Sequence, residues 1–156
     1  MGIILTLNFD KKIAQPDWIA GWYTQVLFEY IYEAGSGGGS VPNTIGDLAN
    51  HFGIKIQPLL KLGGQDFSLE EYGGNKKLFE EVKKHNQACW QAPQKLIDCL
   101  KIFVEKIDEN PEAFLQLDIK DNYFLQGEFK KDLLDLIHMA EWAKENGIRK
   151  VRLEAG

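Results

Sequence analysis

Between Asp17 and Ala34 the chain reads DWIAGWYTQVLFEYIYEA, and its polar positions Gln25, Glu29 and Glu33 recur at steps of four below Gly21. On a helix that spacing makes one narrow wet stripe, because residues i and i+4 share a face. The rest of the circumference is apolar and carries Trp18, Trp22, Tyr23, Phe28, Tyr30 and Tyr32. A helix that is apolar over most of its girth has to be covered from several sides. The pattern predicts a single helix over 17–34 at the centre of the core, opened by Pro16 and Asp17 and stopped by Gly35.

The other segments read as its covering. Ile3 to Phe9 alternates Ile3, Leu5, Leu7 and Phe9 with Ile4, Thr6 and Asn8, the period-two pattern of a strand. Thr44 to Phe52 reads as a short helix, with Thr44 as N-cap and Ile45, Leu48, Ala49 and Phe52 on one side. Lys76 to Gln91 sets Leu78, Phe79, Val82, Cys89 and Trp90 against charged pairs, and Pro93 to Glu109 sets Leu96, Ile97, Leu100, Phe103, Val104 and Ile107 on one face. The short link between them predicts an antiparallel helical hairpin. Glu112 to Gly127 is weakly patterned. Glu128 to Asn146 is a long amphipathic helix stopped by Gly147, and Ile148 to Leu153 reads as a last strand. Together these predict a helix-rich α+β fold in one domain over 1–156, with a small sheet of the N- and C-terminal strands covered by about five helices around the aromatic one.

Charge narrows the partners. The net charge is −5, and the only arginines are Arg149 and Arg152. Arginine is the usual bidentate reader of phosphate and guanine, so this balance argues against nucleic acid and favours a protein partner with a basic surface. MGIILTLNF lacks a charged leader, its apolar run is too short for a signal peptide, and Gln25, Glu29 and Glu33 interrupt the aromatic stretch as a membrane span. A cytoplasmic protein is expected, with Cys89 and Cys99 as reduced thiols.

Candidate chemistry is sparse. GSGGGS over Gly35–Ser40 follows a helix and ends in serine, so it is neither the dinucleotide fingerprint nor a phosphate loop. It reads as a solvent loop, like the connection from Lys61 to Asn75. Ser36, Ser40, Asp66 and Tyr72 are the binding candidates on these two loops. Residues 44–62 match helix-turn-helix spacing through Leu48, Ala49, Phe52, Gly53, Ile54, Leu59 and Leu62, although Pro58 sits in the segment that would read DNA. Glu81, His85 and Cys89 fall at i, i+4 and i+8, one helix face that offers a metal a carboxylate, an imidazole and a thiolate. The plainer account makes them a solvated charge, a surface polar residue and a small buried hydrophobe. Asp135, His138 and Glu141 form a similar row, more simply read as the wet side of the last helix. No nucleophile motif is present and no cofactor is implied. The reading is a non-catalytic protein-binding domain of adaptor, regulatory or immunity-like type. A metal site at Glu81, His85 and Cys89, and DNA binding through 44–62, are the alternatives.

Overall fold

The computed structural model describes residues 3–34, 44–64, 67–118 and 122–156. Strands β1 (Leu5–Phe9), β2 (Leu62–Gly63) and β3 (Val151–Ala155) form one sheet in the order β1-β3-β2. β1 runs antiparallel to β3 with Leu7 opposite Leu153, and β2 lies parallel to β3 on its other side. The sheet of N- and C-terminal strands in a helix-rich α+β fold is therefore as the sequence predicts. Eight α-helices are described: α1 (Asp17–Ala20), α2 (Val26–Glu33), α3 (Ile45–Phe52), α4 (Gln57–Leu60), α5 (Lys76–Ala88), α6 (Pro93–Glu109), α7 (Pro111–Leu115) and α8 (Glu128–Glu145). None is long and apolar enough to cross a membrane.

The caps act as their residue types require. Thr44 Oγ1 accepts the amide of Asp47 at 3.1 Å and opens α3, while Gly53 closes it at φ 69°, a region costly for any residue with a Cβ. Gly147, at φ 77°, lets the chain turn after α8 so that the amide of Ile148 returns to the carbonyl of Ala143 at 2.9 Å. Ile148 thus seals the end of the helix as a buried cap, and the strand begins three residues later than its pattern suggests, at Val151.

The aromatic stretch departs most from expectation. It is two helices, α1 and α2, separated at Gly21–Gln25. In the gap the backbone of Thr24 exchanges two hydrogen bonds with Leu5, at 2.7 and 3.1 Å, and extends the sheet edge by one residue. Its hydroxyl donates to Asp132 Oδ2 at 2.9 Å and the Trp22 indole N–H to Asp135 Oδ2 at 3.1 Å. These long-range bonds override the local helical pattern. Because the helical phase breaks there, the aromatics scatter: Tyr30 is buried, whereas Trp18, Tyr23 and Tyr32 are 51, 60 and 76% exposed.

The core centres instead on α6 and α8, which make the most extensive contact between described elements. Phe129, Leu133, Leu136, Ile137, Met139, Ala140 and Ala143 of α8 are buried, as are Leu96, Ile97, Leu100 and Phe103 of α6. The weakly patterned 112–127 segment supplies the aromatic end of this core. Phe114 and Tyr123 are buried there; Tyr123 stacks on Tyr30 at 5.4 Å, and Phe124 lies 4.5 Å from Phe129.

Candidate functional site: an aromatic cleft against α5

α5 does not close a hairpin on α6. It packs on β2 and on the 3-10 turn Glu70–Tyr72, and Asn86 is its one buried side chain. Leu78 is 42% exposed, and Phe79 and Val82 are only half-buried. The apolar face that the sequence assigns to core packing is thus left open in part.

The segment before α5 is folded back over that face. Gly73 and Gly74, at φ 63° and 75°, make a left-handed turn that a Cβ would strain, and Asn75 caps α5 by accepting the amide of Leu78 at 3.1 Å. Ser68 and Glu71 brace the 3-10 turn: the amide and hydroxyl of Ser68 donate to Glu71 Oε1 at 3.1 and 3.0 Å. Tyr72 is thereby held edge-on to Phe79, at 6.2 Å, and to Phe67, at 6.0 Å. A cleft of about 230 Å³ opens between them, lined by Phe67, Tyr72, Phe79, Val82, Lys83, Asn86 and Gln87. The ammonium of Lys83 lies 5.8 Å from the Phe79 ring centroid, within cation–π range.

The cleft floor is rigid. Asn86 Oδ1 accepts the amide of Gly64 at 2.9 Å, and its backbone carbonyl accepts from Arg152 Nη1 at 3.3 Å. The buried Arg152 lies 4.4 Å over the Trp90 ring and pairs with Glu154 at 3.2 Å, and Glu154 in turn accepts from Asn8 Nδ2 at 2.7 Å. A Cβ at Gly63 would stand 2.7 Å from Arg152 Cδ, so the guanidinium fits only beside a glycine.

His85 and Cys89 meet beside this floor, with Cys89 Sγ 3.6 Å from His85 Nε2. That nitrogen also lies 2.8 Å from the carbonyl oxygen of Leu62. A carbonyl only accepts, so Nε2 carries a proton and donates it; it holds no lone pair to receive a proton from the thiol or to bind a metal. Burial pushes the Cys89 thiol up, against the smaller opposite pull of Arg152 and Lys61, which disfavours the thiolate. Glu81 is exposed on the outer side of α5, beside a shallow depression bordered by Glu80, Lys83, Lys84 and Gln87. Among the described residues, no three of His, Cys, Asp and Glu are grouped to hold a metal.

The remaining candidates separate. Tyr72 lines the cleft; Ser36, Ser40 and Asp66 lie outside the described residues. Asp135 accepts from Trp22 and from Lys131 at 2.9 Å, Glu141 faces Lys101 at 3.9 Å, and His138 is exposed, so this row is spent on surface and structural contacts. The helix-turn-helix spacing does not become that motif: after Gly53 the chain makes α4, four residues long with Leu59 buried, and passes directly into β2. A recognition helix needs several exposed turns to lie in a major groove.

Sequence reasoning missed Asp132. Its Oδ2 accepts from the Thr24 hydroxyl at 2.9 Å and the Tyr123 hydroxyl at 2.6 Å. Burial raises this carboxyl from its ordinary 3.8, and the two hydrogen bonds and Lys131 offset only part of that rise. The Tyr123 hydroxyl is raised as well, first by burial and then by Asp132. The two hydrogen bonds tie α8 to Thr24 and to Tyr123, segments 108 and 9 residues away in sequence.

What the fold and site define is a helix-rich α+β chain with an aromatic cleft beside α5. The chain matches no protein-family model, and comparison with curated proteins and with solved structures also gives no match.

Proposed function

We propose that this is a non-catalytic, cytoplasmic protein-binding domain of adaptor, regulatory or immunity-like type, with the cleft beside α5 as its contact surface. One observation carries the reading: α5 has an amphipathic pattern, yet Leu78 stays 42% exposed and a cleft lined by Phe67, Tyr72, Phe79 and Val82 opens on the same helix. At about 230 Å³ the cleft is small for a cofactor and suited to one large apolar side chain, the usual anchor of a protein interface. The excess of carboxylates, 23 acidic against 18 basic residues, acts at longer range and favours approach of a basic partner. Affinity purification with the wild type and with Val82→Glu, a lining residue of the cleft, tests this. A partner held by the wild type and lost with the variant, whose melting temperature is unchanged, supports the reading; a partner held equally by both contradicts it.

A further inference from the structure

The geometry points to an extended peptide segment carrying one aromatic or leucine anchor next to a carboxylate as the occupant of the cleft. This rests on the protein-binding reading and adds the chemistry of the segment that enters.

Of the residues lining the cleft, Phe67, Tyr72, Phe79 and Val82 are apolar, and they select an apolar side chain. Lys83 is the one charged lining residue, and no carboxylate pairs with it among the described residues. It is exposed, and its ammonium lies 5.8 Å from the ring centroid of Phe79, another lining residue. Lys76, Lys77 and Lys84 of the same helix are exposed and likewise without ion pairs. Glu80 and Glu81 border the neighbouring depression and do not line the cleft. Lys83 and Gln87 border both, so among the described residues the one charge on the cleft lining itself is a lysine, with the two glutamates on its far side. Net charge and Lys83 act at different ranges: net charge biases encounter out to about a Debye length, about 8 Å at physiological salt, while Lys83 decides which group rests against the cleft.

Three short peptides test the assignment by amide NMR titration of the full chain: a Gly/Ser backbone with tryptophan between two aspartates, the same with two lysines, and the first with alanine in place of tryptophan. The expected result is that the aspartate–tryptophan peptide moves the amides of Val82, Lys83 and Gln87, that Lys83→Glu weakens its binding about two- to fivefold, and that the alanine peptide moves none of them. Equal or tighter binding of the lysine peptide at these amides would overturn the carboxylate assignment and leave the cleft as a protein-binding site. If no peptide moved them at about 1 mM, the limit of weak recognition, both readings would fall. Lys83 is exposed, so its variant keeps the fold; an unchanged spectrum away from α5 verifies this.

Discussion

Asp132 gathers two hydroxyl donors from distant parts of the chain, Thr24 and Tyr123, on one oxygen. Tyr123 is 1% exposed, so removing its acceptor strands a buried hydroxyl, and Asp132→Ala is expected to cost about 1–3 kcal/mol in urea unfolding. The pH dependence has a definite sign. Because the folded-state carboxyl titrates above 3.8, the folded protein holds this proton longer than the unfolded chain does. The contribution of Asp132 to stability therefore declines as pH rises from 3.8 through its folded-state value. Wild type should lose stability relative to Asp132→Asn across that window, and parallel stability curves for the two would refute the assignment. The Cys99 thiol, pushed up to about 11 by burial, should stay unreacted with a thiol reagent at neutral pH while the fold is intact. The unreactive Cys99 follows from its place in an amphipathic helix, but the Asp132 cluster was not legible in the sequence. Asp132 shares a helix turn with the charged residues Lys130, Lys131 and Asp135, and only the fold brings Thr24 and Tyr123 to it.

Elements with a local cause were legible. The cap at Thr44 and the left-handed ends at Gly53 and Gly147 depend on one residue's backbone and nearest neighbours, and they stand where the residue types put them. Elements decided by long-range pairing were not. The break at Gly21–Gln25 is set by Leu5, Asp132 and Asp135, residues far away in sequence. The two-residue β2 exists because β3 passes beside it, and a two-residue strand has no period to read. The α2–α3 contact illustrates how such packing constrains a residue: a Cβ at Gly46 would fall 2.0 Å from the carbonyl oxygen of Ala34, a backbone atom that cannot turn aside. Gly46→Ala should therefore destabilise the protein by about 1–3 kcal/mol through overpacking, measured by thermal or urea unfolding.

On the scale of the whole molecule, an amphipathic pattern states that a face wants cover without stating who provides it. For α8 the cover is α6; for α5 the described chain supplies chiefly β2 and the Glu70–Tyr72 turn, and Leu78 stays 42% exposed. That difference, invisible in the two helices' sequences, is why Tyr72 could be picked as a candidate while the cleft around it could not. The same limit applies to charge, since a net −5 does not reveal that a lysine is the charged residue lining the cleft among the described residues. The most direct test of the central claim places a photo-crosslinking residue at Gln87, an exposed residue that lines the cleft, and, as a control, at Leu125, an exposed residue that does not. Irradiation in the cells that make the protein should give one discrete protein adduct from position 87 and none from position 125. The same adduct from both positions, or none from position 87, would contradict the account.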